Sequence, residues 1–264
     1  MFRERRLAAA LAGQRIALGM HCFSGSAAIV EAMAAGGLDF VIIDCEHSPN
    51  GTTEIQQCLR AAQSFDADAL VRISVIDASI GMLLDLGIDG IVLSRASASR
   101  LQALLSESLY LPEGGRGACP SVRAAGYSTN DWSEFASVSN RDLLLIALVE
   151  DLQGVADIGQ IAACPQVRAL FVGAFDLAAS LGVAATDLRH PELAAAFERV
   201  CDTARQHAKA VMVALGDDAD PTYIDWLKAR SVSVFSNGAD VQIIRSAARR
   251  AQALRSTLTL RRTQ

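Results

Sequence analysis

Four short apolar runs in this chain of 264 residues each end in side chains that can ligate a metal or move a proton. Short apolar runs of this kind are typical of buried parallel strands. In an α/β barrel such strands deliver their reactive groups at their carboxyl ends. Two carboxylates, an imidazole and a guanidinium placed in this way predict a metal-assisted active site. In chain order the polar positions are Asp44 to His47, Arg72, Glu150 with Asp151, and Asp176.

Glu150 and Asp176 are the candidate metal ligands. Each follows an apolar run, and adjacent strands of a sheet lie about 4.8 Å apart. Two carboxylates at that spacing can share one hard divalent cation and leave positions open for substrate and water. Alone, Asp176 before Leu177 favours a helix N-cap. As a pair at successive strand ends, the two residues favour the metal.

His47 is the candidate acid/base group. It follows a predicted strand and has carboxylates beside it, which favours a place on the rim of the site. Asp85 could orient its imidazole. Arg72 is expected either to form a structural ion pair or to stabilise an oxyanion or enolate.

Further arginines indicate an anionic substrate. Arg95 follows the fourth apolar run, and Arg116 and Arg123 lie in the long irregular stretch from Pro112 to Asn130. A loop of that length in a compact domain is usually functional. Several guanidinium groups on one rim would suit carboxylates.

Eight apolar runs alternate with Ala- and Leu-rich segments of helical spacing. This rhythm over about 250 residues indicates an α/β fold, a (β/α)8 TIM barrel, with residues 1–264 as a single domain. A doubly wound sheet would usually carry a glycine-rich nucleotide turn after its first strand, and residues 19–25 fit that turn poorly. We therefore expect no nucleotide cofactor. The runs cover residues 15–20, 39–44, 69–74, 89–94, 142–149, 168–173, 209–215 and 231–235.

The net charge and the cysteine content indicate which classes of partner and which cellular compartment to expect. The net charge of −5 indicates no nucleic-acid partner. Six cysteines without metal-site or C-x-x-C spacing are typical of reduced thiols in a cytoplasmic protein. No segment is long and apolar enough to span a membrane. The apolar stretch from Leu7 to Gly13 is interrupted by Gln14, which favours a short amphipathic helix over a signal peptide.

Several segments carry a family resemblance. The most specific are GLDFVIIDCEHSPN at 37–50, LLDLG at 83–87, the pair Arg116-Gly117, and GAFDLAASLG at 173–182. From Leu18 to about Arg250 the chain resembles the metal-dependent class II pyruvate aldolases, of the 4-hydroxy-2-oxoheptanedioate aldolase type. These belong to the HpcH/HpaI aldolase and citrate lyase β-subunit superfamily.

The resemblance implies a role for each of five residues. Glu150 and Asp176 would hold Mg²⁺, Mn²⁺ or Co²⁺, His47 and Asp85 would form an acid/base dyad, and Arg72 would stabilise the pyruvate enolate. It also implies a barrel whose last helix is swapped between subunits of a homo-oligomer, a dimer or a trimer of dimers.

Several positions differ from the family pattern, and they fall in the expected substrate pocket. Phe175 replaces an Ala whose backbone helps hold the substrate carboxylate, Leu148 replaces a Gln, and Leu93-Ser94-Arg95 replaces Val-Pro-Met. We therefore do not expect the heptanedioate substrate itself. The residues expected to contact substrate are Ser24, Arg95, Arg116, Ala174 and Phe175.

Three functions remain open on the sequence. The favoured one is a carbon–carbon lyase acting through the enolate of a small anionic 2-oxo acid, pyruvate or oxaloacetate. The second is a citrate-synthase-like condensation of acetyl-CoA, as a CoA thioester substrate, with oxaloacetate for siderophore biosynthesis, which the extra cation Arg95 would suit. The third is a carboxylate-binding barrel without turnover, compatible with Leu148 and Phe175, although retention of all five catalytic positions counts against it.

Overall fold

Eight parallel strands close into a barrel, which confirms the predicted (β/α)8 architecture. The computed structural model describes residues 5–184, 186–216, 219–256 and 258. Each strand pairs with its neighbours in chain order, and β8 closes the barrel against β1. The strands are β1 (Ala17–Cys22), β2 (Phe40–Asp44), β3 (Asp68–Ile73), β4 (Gly90–Leu93), β5 (Leu145–Val149), β6 (Val167–Val172), β7 (Ala210–Leu215) and β8 (Val232–Ala239).

Twelve α-helices occupy the described part of the chain between and around the strands. None of them has the length and apolar character that a membrane span requires. They are α1 (Leu7–Leu11), α2 (Ala27–Ala35), α3 (Thr52–Gln63), α4 (Ser79–Asp85), α5 (Ala98–Ser108), α6 (Trp132–Asp142), α7 (Leu152–Ala156), α8 (Ile158–Ala163), α9 (Ala174–Leu181), α10 (Pro191–Gln206), α11 (Pro221–Lys228) and α12 (Asp240–Ala253).

Capping side chains account for several helix starts. Ser97, Asp131 and Asp151 each accept a hydrogen bond from a backbone N–H in the first turn of the helix that follows. The chain after β5 forms two short helices, α7 and α8, which meet at Asp157.

The barrel interior is a packed apolar core. Helix α1 closes its amino-terminal end, where Leu7 is fully buried and its backbone N–H donates to Asp68 at 2.8 Å. Gly19 is required inside β1, because a Cβ there would lie 2.4 Å from the ring of Phe40. The core side chains include Phe40, Ile42, Leu70, Val92, Ile146, Leu148, Phe171, Met212 and Val234.

The outer face of β1 and the last helix are less well covered. Leu18 points away from the interior and is exposed, as are Val241 and Ile244 on α12. Asp240, at the start of α12, is the one buried residue of that helix. Apolar side chains are therefore left at the surface where the eighth helix of a barrel would usually pack.

A buried histidine joins the first strand to the last inside the barrel. His21 Nδ1 lies 2.8 Å from the hydroxyl oxygen of Ser236 in β8. Burial, followed by the nearby Arg72 guanidinium, lowers the pKa of His21 to about 4. The imidazole is therefore neutral at pH 7 and acts as a hydrogen-bonding core group.

We expect this histidine to make the fold acid-sensitive. The unfolded chain takes up the proton near pH 6.5 but the folded chain only near pH 4, so the free energy of unfolding falls as the pH drops through that window. Denaturant titrations at pH 7 and pH 4.5 should show a loss smaller by about 2 kcal/mol in His21→Asn than in the wild type. Asn retains a polar group near Ser236 but does not titrate. An equal loss in both proteins would assign the acid sensitivity to other groups.

Candidate active site

Charged side chains gather at the carboxyl end of the barrel. Asp44 ends β2, Arg72 lies in β3, Arg95 and Glu150 follow β4 and β5, and Asp176 lies in the first turn of α9 after β6. The structure therefore places these five residues around one end of the barrel, where the sequence predicted them. This is the end at which parallel barrels carry their chemistry.

Arg72 is held by two carboxylates from the β2 end. Asp44 and Arg72 are register partners in adjacent strands, and Arg72 Nε donates to the fully buried Asp44 carboxylate. Glu46 Oε2 lies 3.6 Å from the same nitrogen and accepts the Ser94 hydroxyl proton at 2.6 Å. Glu46 and Ser94 were not predicted as site residues, although Glu46 sits one position before His47 in the predicted motif.

Glu150 is buried, with only 5% of its surface exposed. Its Oε1 accepts the backbone N–H of Arg95 at 2.7 Å. Desolvation raises the pKa of Glu150 to about 7, and the Glu46 and Asp176 carboxylates add to the effect, while the Arg95 N–H and the Arg72 guanidinium oppose it. The N–H group and the guanidinium near this carboxylate therefore do not offset its desolvation and the repulsion from its like-charged neighbours.

Two backbone features let the chain approach Glu150 closely. Arg95 has a φ of +48°, in the left-handed region that few non-glycine residues adopt, and this conformation accompanies the amide contact to Glu150. At Gly173 a Cβ would lie 2.7 Å from Glu150 Cβ. A glycine is therefore required where β6 passes Glu150.

Asp176 is exposed and does not cap its helix. The N-cap of α9 is Gly173, which has no side chain to offer, so the alternative role predicted for Asp176 as N-cap is wrong. Asp176 is close enough to Glu150 to raise the pKa of that carboxyl group. The described residues contain no group of three or more His, Cys, Asp or Glu side chains placed to hold a metal. The two carboxylates thus offer a partial oxygen ligand set with open positions.

His47 and Asp85 are not brought together within the chain. His47 is on the carboxyl rim with its side chain 59% exposed, and its Nε2 lies 3.6 Å from Glu46 Oε2. Asp85 is the last residue of α4, a few residues before β4 begins, and therefore lies towards the amino-terminal end of the barrel. The expected dyad is not formed between these two side chains of one chain.

Arg116 also lies away from the carboxyl rim. Its Nη2 donates to Asp85 Oδ1 at 2.6 Å, and its guanidinium lies 4.4 Å from the Tyr110 ring centroid. It lines a cavity of about 870 Å³ together with Asp89 and Leu144, residues at the amino ends of β4 and β5. The expectation that Arg116 reaches the substrate of its own barrel is therefore not met by its position.

Arg95 and Phe175 present exposed side chains at the carboxyl rim. Phe175 is 73% exposed, and Ala174 beside it is half-buried at the start of α9. No described carboxylate forms an ion pair with the Arg95 guanidinium. The acidic residue Asp89, just before β4, accepts the backbone N–H of Ala69 at the other end of the strand.

Ser24 follows β1, and its hydroxyl is directed at a residue that the sequence did not suggest. It donates to the Asp240 carboxylate, and its oxygen accepts the Ser26 N–H at 3.2 Å. Residues 24 and 240 are too far apart in the chain for this contact to leave a sequence signal. The one proton of the Ser24 hydroxyl is therefore not free for a substrate.

Comparison with known proteins identifies the family. A model of the HpcH/HpaI aldolase/citrate lyase family matches residues 17–247. A 5-keto-4-deoxy-D-glucarate aldolase from Enterobacter sp. (strain 638) is 31% identical over 243 residues, 90% of this chain and 92% of the relative. A hydroxypyruvate/pyruvate aldolase from Paraburkholderia phytofirmans is 33% identical over 188 residues, 68% of this chain and 71% of the relative. The crystal structure of the citrate synthase SbnG matches with a TM-score of 0.79 at 25% identity, covering 93% of this chain and 94% of that one. The chain therefore belongs to the HpcH/HpaI aldolase/citrate lyase family and is an enzyme of the lyase type.

Proposed function

We propose that this enzyme is a divalent-metal-dependent aldolase that acts through the enolate of a 2-oxo acid, pyruvate or oxaloacetate. The observation that carries the proposal is the buried Glu150 carboxylate, whose pKa is affected by the nearby charges of Glu46, Asp176 and Arg72 at the barrel mouth. The relatives named as aldolases of sugar acids and of pyruvate support the same reaction class.

The donor set fits a hard divalent cation. Glu150 and Asp176 supply carboxylate oxygens, the ligands that Mg²⁺ and Mn²⁺ prefer. The desolvated Glu150 and its like-charged neighbours also favour positive charge at this point. When bound there, the cation would act as a Lewis acid towards the carboxylate and keto oxygens of the 2-oxo acid.

Arg72 is suited to hold the oxyanion of the substrate. Asp44 occupies its Nε–H and fixes the plane of the guanidinium, while the Nη groups keep further N–H donors. A fixed guanidinium that faces the position of the 2-oxo oxygen stabilises the negative charge that develops as the enolate forms.

His47 is suited to move the proton. In the cleavage direction it takes the proton of the 4-hydroxyl group as the C3–C4 bond breaks, and the bonding electrons pass into the enolate. The aldehyde leaves, and protonation at C3 then gives the 2-oxo acid. The backbone N–H of His47 donates to Asp44 at 2.7 Å, which holds the imidazole on the rim.

The acid/base dyad implied by the family resemblance requires a second copy of the chain. A strand of five residues spans about 16 Å, so Asp85 near the amino end of the barrel cannot orient His47 at the carboxyl end. We propose a homo-oligomer in which the Asp85 region of one copy approaches the His47 rim of another. The uncovered face of β1 and the exposed Val241 and Ile244 of α12 support contact between copies, including a swapped last helix.

A citrate-forming condensation is the second candidate. The unpaired Arg95 guanidinium on the rim would suit the extra carboxylate of oxaloacetate, and the fold match to SbnG is consistent with it. In that reaction oxaloacetate would be the electrophile and the enolate of a CoA thioester the nucleophile. Turnover of acetyl-CoA with oxaloacetate, measured beside aldol cleavage, distinguishes the two reactions.

We expect Glu150 and Asp176 to bind one Mn²⁺ per chain. Glu150→Gln and Asp176→Asn should each weaken Mn²⁺ binding by at least about tenfold, since each removes one charged ligand from a small set. Asp151→Asn is the matched control, because Asp151 is the neighbour of Glu150 but caps α7. Calorimetric titration with Mn²⁺ checks the binding without reference to turnover. Full affinity in a folded Asp176→Asn variant would refute the assignment.

We expect His47→Ala to lower kcat by about 10²–10⁴-fold, the usual contribution of general acid–base catalysis. Mn²⁺ affinity should stay at the wild-type value, because His47 is not a proposed ligand. His207→Ala serves as the control, since His207 is exposed at the end of α10, away from the carboxyl rim. A His47→Ala enzyme within about threefold of the wild-type rate would remove His47 from this role.

We expect Arg95 to select substrates with a carboxylate that pyruvate lacks. Arg95→Met should raise the KM for oxaloacetate by about 10- to 100-fold, as expected for the loss of one hydrogen bond between charged groups. The KM for pyruvate, compared in the same enzyme as aldol donor, should change little. Equal changes for both acids would show that Arg95 has a structural role, and would remove the main support for citrate formation.

A further inference from the structure

Asp240 accepts four hydrogen bonds at the barrel mouth although it is only 2% exposed. Its Oδ1 accepts the backbone N–H groups of Phe23 at 2.9 Å and Val241 at 2.8 Å. Its Oδ2 accepts the backbone N–H of Ser24 at 3.0 Å and the Ser24 hydroxyl proton. Three of the four donors belong to the β1–α2 loop, residues 23–26.

The β1–α2 loop contacts the group that we assign to the enolate. The ring centroid of Phe23 lies 5.7 Å from Arg72 Cζ and 6.1 Å from the ring of His21. Asp44 and Glu46 hold Arg72 on its Nε side, and the Phe23 ring is a further neighbour of the guanidinium. The position of Phe23 therefore limits where the Nη groups of Arg72 can point.

We propose that Asp240 is a positioning residue for the reaction: it anchors the β1–α2 loop so that Phe23 keeps Arg72 directed at the 2-oxo acid. Ser24 then acts through Asp240 and does not itself donate to the substrate. The inference rests on the proposed function for the role of Arg72. It makes Asp240 the residue that fixes the β1–α2 loop. Ser24 then supports Asp240, whereas the sequence led us to expect that Ser24 contacts the substrate.

The ionised carboxylate is what this anchor requires. Burial alone would raise the pKa of Asp240, but the hydrogen bonds from Ser24, Phe23 and Val241 hold it below its usual value. An aspartate can accept on both oxygens, whereas an asparagine of the same size has one acceptor and one donor. Asp240→Asn would set an N–H₂ group against backbone N–H donors and so release one half of the anchor.

The main experiment compares Asp240→Asn with Asp89→Asn. Asp89 is also a buried carboxylate that accepts a backbone N–H, from Ala69 at 2.9 Å, but it lies at the amino end of β4. Asp240→Asn should lower kcat for the 2-oxo acid about tenfold and leave KM within about threefold, because the Arg72 contact that it disturbs is strongest when the enolate charge forms. Asp89→Asn should leave kcat unchanged, even if the two variants are destabilised to the same extent. An unchanged kcat in Asp240→Asn would overturn the proposal.

A double-mutant cycle separates the two possible tasks of Ser24. Ser24→Ala should also lower kcat but by less, because the backbone hydrogen bonds to Asp240 remain. If Ser24 acts through Asp240, the double variant should be no worse than Asp240→Asn alone. Effects that multiply would show that Ser24 contacts the substrate itself. Ser24→Ala also serves as the test of the anchor should Asp240→Asn fail to fold.

Hydrogen exchange tests the anchor whatever the reaction. The amide protons of Phe23 and Ser24 should exchange faster in Asp240→Asn than in wild type, and not in Asp89→Asn. Unchanged exchange would overturn the inference even if the enzyme proves to be a pyruvate aldolase. Faster exchange, in an enzyme whose wild type neither binds nor cleaves 2-oxo acids, would uphold the anchoring and overturn the proposed function together with the role given to Arg72.

Discussion

Negative charge is concentrated at the mouth of this barrel, and the positive charge that balances it determines the chemistry of the site. Asp44 is matched by Arg72, and Glu46 shares Arg72 with it while accepting from Ser94. Among the described residues Glu150 accepts one backbone N–H, and its pKa is raised to about 7, chiefly by desolvation, despite the opposing charge of Arg72. A buried carboxylate beside like charges is costly unless a cation meets it. That imbalance is the physical reason to infer a metal beside Glu150.

The barrel can hold these charged side chains close together because the hydrogen bonds between its strands fix the position of each strand end. Asp44 and Arg72 face each other because their strands pair in that register. Glu150 is approached by backbone on two sides, at Gly173 and at the left-handed Arg95. The residues on both sides of Arg95 are fixed by backbone hydrogen bonds, from Ser94 N–H to the Ile73 carbonyl at 3.0 Å and from Ala96 N–H to the Leu148 carbonyl at 2.9 Å. This turn leaves the Arg95 guanidinium at the rim, where a substrate carboxylate can reach it.

The sequence was enough to predict the barrel and the residues at its strand ends, because both follow from local patterns. Apolar runs mark the strands, and the residue after each run must lie at the carboxyl end. The sequence did not reveal that Asp85 and Arg116 lie away from the carboxyl rim of their own barrel, because a motif reports residue type but not which end of the barrel a helix terminus reaches. The contact between Ser24 and Asp240 joins the two ends of the chain, and it depends on barrel closure between β1 and β8. No local pattern contains that information.

Closure of the barrel also joins two features that look separate in the sequence. Asp240 is the first residue of α12 and the anchor of the loop that lies against Arg72. The rest of α12 exposes Val241 and Ile244, the side chains that we expect a second copy to cover. A displacement of the start of α12 would change the hydrogen bonds from Phe23 and Ser24 to Asp240. The same helix therefore carries the anchor of the loop beside Arg72 and the apolar side chains that a second copy would cover in the proposed assembly.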